Sequence, residues 1–293
     1  MLDITLLIQQ IINGLLLGCL YGLMGLGLAL IFGVMRVVNF AHGAMIVMGV
    51  YILSTLYIWF NIPIILLIPL YLFMFFILGL IINKCLLEYP RLRGSEGDTS
   101  LIITYALSII LESTMLSIWG AYPFSSGFRI EGTLSFFGIS IGLQRVTSSV
   151  IAIFGIIILF LFLKLSMIGK AIRAVSQNAP LAWTLGINAH RIYKITFGLS
   201  VVLAAVAGWL LAPMYAMTPY QGAYYLTKSF AVVIIGGMGN LIGTILAALL
   251  LGTVESLSVF VIKGGFRDVI GLLLMIVILF FKHEGLLGKE VRV

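Results

Sequence analysis

The chain is 293 residues long, 62% hydrophobic and only 9% charged, with a net charge of +7 and mean hydropathy +1.21. A soluble domain carries about 25% charged residues, so polar side chains are too few to cover a water-facing surface. A soluble globular enzyme, a disordered chain and a disulfide scaffold are thereby excluded. Stretches such as 62–82 and 148–163 are apolar nearly throughout, without the alternation of a barrel strand. Lipid leaves helices as the other solution. The expected fold is all-α: a single polytopic transmembrane helical bundle over residues 1–293, with broken or re-entrant helices and an inverted repeat.

At about 20 apolar residues per crossing, spans are predicted at 5–33, 41–60, 62–83, 99–120, 148–166, 192–212, 241–262 and 267–282. A further piece, 228–240, is too short to cross alone. The first span lacks a basic leader and a small-residue cleavage site, so it reads as a retained helix. On it, Gly14, Gly18 and Gly22 recur every four residues, a small-residue face that lets helices approach closely in lipid. The span ends in Arg36-Val-Val-Asn-Phe-Ala-His-Gly43, and near the other end Gly236-Gly-Met-Gly-Asn-Leu-Ile-Gly243 interrupts an apolar run similarly. Paired interruptions of this kind point to an internal repeat with its functional site at the repeat interface.

Between them, Thr104, Ser108 and Glu112 share a helix face at spacing four and can present a polar stripe to a cavity. Glu112 and Glu255 are intramembrane acids, costly in lipid and therefore candidates for function or for pairing with a polar neighbour. His42 has no metal-binding partners nearby and is expected to cap broken backbone or touch a neighbouring helix. Cys19 and Cys85 read as packed thiols. Gly237–Gly243 is GxGxxxG rather than a dinucleotide fingerprint, no Walker motif occurs, and no catalytic constellation converges. No cofactor, metal or nucleic acid is implied.

Lys and Arg set the orientation. Lys164, Lys170, Arg173, Arg191 and Lys194 fall in one connection, Lys84, Arg91 and Arg93 in another, and Lys282, Lys289 and Arg292 in the tail. With Arg36 this places 12 of the 17 basic residues on the cytoplasmic face, leaving Arg129, Arg145, Lys228, Lys263 and Arg267 for the other. The connection at 164–194 contains two short amphipathic helical pieces: a basic one at 170–177, then 180–185, opening at Pro180 with Asn178 or Ala179 as cap and closed by Gly186.

That connection resembles the coupling loop of ABC importer permeases. Val38-Asn-Phe-Ala-His-Gly43, the run from Lys84 through Glu88-Tyr-Pro-Arg-Leu-Arg93 to Leu101–Ser108, and Ser229–Gly252 are similar in order and spacing to the branched-chain amino acid permeases of the LivH type. Ala44 stands where many members carry an acid. The resemblance covers nearly the whole chain. It implies a non-enzymatic permease subunit, multi-pass in a prokaryotic inner (plasma) membrane. Its partners would be a second permease subunit, identical or different, two cytoplasmic ATP-binding subunits that hydrolyse ATP, and an extracytoplasmic solute-binding protein. The implied solute is a branched-chain or other hydrophobic amino acid, with Asn39, His42, Thr104, Ser108, Glu112, Asn240 and Thr244 as candidates for its path. Coupling to the ATPase would fall to the segment at about 167–188, through Gly169, Lys170, Arg173, Asn178, Trp183 and Gly186. Related permeases for urea and short amides share much of the pattern. An ATP-independent channel of the same build is the reading from a different class.

Overall fold

A computed structural model of the protein describes residues 4–88, 97–124, 129–136, 138–261 and 266–288. In chain order its α-helices are α1 (Ile4–Met35), α2 (His42–Phe60), α3 (Ile64–Ile82), α4 (Gly97–Trp119), α5 (Leu143–Leu165), α6 (Met167–Gln177), α7 (Ala179–Thr184), α8 (Ala189–Leu211), α9 (Gly222–Gly236), α10 (Leu241–Val261) and α11 (Arg267–Phe281). The α3 helix runs on into a π-helical turn, Asn83–Leu87. Among the described residues, seven helices are long and apolar enough to cross a membrane: α1, α2, α3 with its π turn, α4, α5, α8 and α10. An antiparallel hairpin of β1 (Thr133–Phe136) and β2 (Ile139–Gly142), paired Thr133 to Gly142, precedes α5. In the sequence that stretch reads only as a connection between spans. Lys and Arg put the α6–α7 end in the cytoplasm and the hairpin outside.

The helices α1, α2 and α8 form the centre, and α3, α4 and α5 turn most of their surface outward. Side chains such as Phe73, Ile102 and Phe154 are exposed there, as lipid contact requires. Along α1, Gly14 lies against the Thr253 backbone and Gly18 against that of Leu249, so α1 and α10 pack backbone to backbone. Gly22, the third member of the frame, is looser, with a space that would hold a methyl 3.6 Å from Ala248 and Ile156.

Two differences from the sequence reading matter for function. The helix placed at 228–240 is α9, Gly222–Gly236: it starts earlier because its polar first turns (Tyr225, Lys228, Ser229) are buried in protein rather than in lipid. It stops earlier because Gly237 and Gly239 take left-handed backbone angles, φ 98° and 83°. The break paired with 36–43 is also a different one. Residues 237–240 are a cytoplasmic turn, where Gly239 meets Gly33 near the end of α1. The second interior break is 212–221, between α8 and α9, closed by a 3-10 turn, Pro219–Gln221.

Both breaks re-enter the bundle. His42, the first residue of α2, donates from Nε2 to the Met24 carbonyl (3.0 Å). Met24 lies about 16 Å before the end of α1 at 1.5 Å per residue. After Arg36, therefore, the chain climbs back to the middle of α1 before α2 begins. Gly222, the first residue of α9, sits directly against Gly43. Since α1 runs toward the cytoplasm and α8 away from it, α1–α2 and α8–α9 are inverted counterparts whose second helices start side by side near the midplane.

Candidate functional site

The midplane junction is built from backbone first. Residues 37–41 carry no helical ladder, so their polar groups need side-chain partners in a dry interior. Asn39 Oδ1 accepts from the Ala41 amide (3.1 Å), and Thr104 Oγ1 of α4 accepts from the Phe40 amide (3.2 Å). Phe40 packs between Tyr105 of α4 and Phe230 of α9. Asn39, His42 and Thr104, three of the path candidates, are thus brought together and fully buried, the first and last bonded to the broken segment and His42 to the Met24 carbonyl of α1. His42 Nδ1 and the Ser200 and Thr196 hydroxyls of α8 are buried without a hydrogen-bond partner among the described residues.

The other path candidates lie elsewhere. Ser108 bonds back to the Tyr105 carbonyl of its own helix (2.7 Å). Glu112 is half-buried one turn on, with no ion-pair partner among the described residues. Asn240 and Thr244 are at the cytoplasmic turn: Asn240 Oδ1 caps the Gly243 amide (2.9 Å), its Nδ2 donates to Leu287 in the tail, and Thr244 points its methyl at Gly25.

Basic-residue counting assigns Lys228 and Arg267 to the outer face; the structure buries Lys228 inside the bundle and leaves Arg267 partly exposed at the start of α11. Lys228 of α9 is ion-paired with Glu255 of α10 and lies 2.8 Å from Asp268 of α11. Arg267 Nε sits 3.3 Å from Glu255 Oε2 without the alignment of a hydrogen bond. Tyr21 of α1 donates to Glu255 (2.9 Å) and Tyr224 to Asp268 (3.1 Å). Glu255 is fully buried. Two cations and two anions cancel here, which is how charge survives in a low-dielectric interior. Beside the network a cavity of about 390 Å³ opens, lined by Arg267, Tyr21, Tyr215, Gln221, Leu211 and Met214. It lies between α1, the 212–221 break and the start of α11. Walls that mix Leu211 and Met214 with one guanidinium, an amide and several hydroxyls suit a small amphiphilic solute. Glu255 was visible in the sequence as an intramembrane acid. Its partners are not legible in the sequence, where Lys228 stands at the edge of the short apolar piece 228–240 and reads as an outer-face cation.

At the cytoplasmic end, α6 and α7 lie where the two helical pieces were expected. Ser166 caps α6 by accepting from the Gly169 amide (2.8 Å), and Asn178 caps α7 by accepting from Leu181 (2.9 Å). Gly169 is wedged against the Phe162 and Leu163 backbone, and Arg173 Nη1 donates to the Leu163 carbonyl. These contacts fix α6 to the end of α5. Lys170 faces water, Trp183 packs edge-on against His190 (5.5 Å), and Gly186 turns the chain at φ 82° with open space around it. Leu181, Trp183 and Leu185 are exposed on α7 and its C-cap, at 58, 53 and 73%.

Residues 10–279 match a family described as the permease component of branched-chain amino acid transport systems. The chain is 30% identical over 297 residues to the high-affinity branched-chain amino acid transport system permease protein BraD of Pseudomonas aeruginosa, covering 96% of each chain. It is 29% identical to the LivH protein of Salmonella typhimurium and 28% to that of Escherichia coli K12, again over 96% of each. No solved structure gives a significant match. The apolar helices, the paired re-entrant breaks and these similarities along nearly the whole length lead to one conclusion: the chain is a multi-pass inner-membrane protein that belongs to the branched-chain amino acid transport permease family.

Proposed function

We propose that the protein forms the translocation path for branched-chain amino acids in an ABC importer, with ATP hydrolysed by separate cytoplasmic subunits and solute delivered by an extracytoplasmic binding protein. The observation that carries this reading is the pair of inverted re-entrant breaks meeting at Gly43 and Gly222 while α6–α7 presents an apolar edge to the cytoplasm. Half-helices that begin at the midplane leave non-helical backbone where a solute passes, and such backbone is tolerated at that depth only inside protein or along a cavity. The cavity beside Arg267 supplies the outer part of the route, and its volume is ample for a leucine-sized solute. Asn39 and Thr104 hold the re-entrant backbone beside the route and His42 braces it against α1, with Ser108 and Glu112 above them on α4 and Asn240 and Thr244 toward its cytoplasmic end.

Coupling runs through α6–α7. Gly169, Arg173 and Asn178 hold the two helices to α5 and to each other, so a push on the exposed Leu181–Leu185 edge reaches the core as a rigid displacement. Lys170, Trp183 and Gly186 complete the surface on which an ATPase subunit docks. A second permease chain, the same or different, completes the path.

The test is ATP-dependent uptake of leucine by membranes carrying the full complex, with Leu185→Glu and Gly186→Trp variants or deletion of 176–183. Loss of uptake with normal membrane insertion is expected for each. Unchanged ATP-dependent uptake in Leu185→Glu and the deletion would remove the coupling assignment. Flux in liposomes holding this chain alone, without ATP, would make it a channel.

A further inference from the structure

On the cytoplasmic half of the bundle, an open groove of about 600 Å³ runs between α3, α5–α6 and α8. Its walls are apolar: Phe76 and Leu80 on α3, Phe162 on α5, and Ile195 and Leu199 on α8. Its rim is cationic, with Lys84, Arg191 and Lys194 all lining it. Glu88 pairs with Lys194 at 2.8 Å. Among the described residues neither Lys84 nor Arg191 has an ionic partner, so the rim carries two uncompensated positive charges. Lys84 also stands in the π-helical turn Asn83–Leu87 that follows α3. Single π-turns of this sort are frequent at functional positions in helices.

The depth of these groups is informative. Lys84 follows the cytoplasmic end of α3, and Arg191 lies in the first turn of α8. Both therefore lie at inner-leaflet headgroup level, with the apolar walls extending from them toward the midplane. A dicationic rim above a hydrocarbon-lined slot complements an amphiphile with an anionic head and acyl tails. We propose that this groove is a binding site for one anionic phospholipid of the inner leaflet, its phosphate held by Lys84 and Arg191 and an acyl chain lying between Phe76, Phe162 and Leu199. The guanidinium of Arg191 gives the phosphate a two-pronged donor, and Lys84 adds a point charge. The bound lipid would fill the space between α3 and α5 next to the start of α6, stiffening the mount of the cytoplasmic segment.

The experiment reconstitutes the purified complex into phosphatidylcholine vesicles with and without phosphatidylglycerol, re-extracts it gently, and counts retained phospholipid by native mass spectrometry. The wild type is expected to keep one phosphatidylglycerol per chain. A Lys84→Gln/Arg191→Gln variant is expected to lose it, with affinity reduced roughly thirty-fold for two headgroup-level cations. Leu80→Trp, which fills the slot and keeps both charges, gives an independent arm and is expected to displace the same lipid. Equal retention in wild type and in Leu80→Trp would overturn the proposal, as would phosphatidylcholine retained as firmly as phosphatidylglycerol. So would a crosslink from a photoreactive residue placed at Phe76 to another subunit of the complex, which would show that protein rather than lipid covers the groove.

Discussion

At Gly43 a side chain has nowhere to go, because a methyl there would overlap the Gly222 carbonyl oxygen. Overpacking against movable side chains costs about 1–3 kcal/mol, and here the obstacle is backbone, which yields less. Gly43→Val is therefore expected to lower the melting temperature of the purified chain and abolish uptake; a thermal melt in detergent reads the first and an uptake assay the second. The Lys228–Glu255–Asp268–Arg267 network gives a contrasting case. Glu255→Leu leaves two cations facing one exposed carboxylate, a loss of about 3–5 kcal/mol by analogy with broken buried pairs. Lys228→Met combined with Glu255→Leu restores charge balance and should recover most of that loss, as denaturant unfolding of the three proteins would show. The site was half legible at this scale. Asn39, His42 and Glu255 announce themselves as polar groups in apolar runs. Lys228, with Tyr224 and Tyr225 four and three residues before it, looks like a loop residue until α10 and α11 are folded against it.

Among the elements, α7 depends most on a single contact. It is six residues long, and Asn178 is its N-cap. Asn178→Ala is expected to weaken the cap by about 1 kcal/mol, to fray α7, and to loosen the ATPase subunits in pull-down while insertion stays normal. The tail depends on α9 in a comparable way. Leu286 and Leu287 donate their amides to the Ile235 and Gly236 carbonyls (2.7 and 3.2 Å), groups that end α9 and would otherwise be unpaired. Truncation after Lys282 should expose residues 237–240 to proteolysis from the cytoplasmic side, which limited digestion of inside-out vesicles would detect. Long apolar helices were readable from composition alone, and the α6–α7 pieces from capping residues. The interruption at 212–221 is marked by Pro213 and Pro219 and falls between the predicted spans, but its return into the bundle was not legible, because it lacks the Asn and Gly that flag the first break. Its turn is held by Tyr51 donating to the Met217 carbonyl (3.0 Å) and by the Phe124–Met217 bridge, both contacts distant in sequence.

The whole molecule is organised around α1, which packs against α5, α6, α8, α9 and α10. With 32 residues it is about 48 Å long, well beyond the ~30 Å of a hydrocarbon core. Its outer end is tied down, since Gln9 donates to Ser140 of the hairpin and Asn13 accepts from Arg145, both across the outer surface (2.8 and 2.7 Å). Its inner end touches α6, the helix nearest the cytoplasmic machinery. A rod of that length is a lever. With the hairpin, the start of α5 and α10 fixed to it and carried along as one body, a rotation of about 10° about its cytoplasmic end would carry the far end through roughly 8 Å at 1.5 Å of rise per residue. A nudge too small to separate any helix pair on the inside thus becomes, outside, a displacement on the scale of an amino-acid side chain.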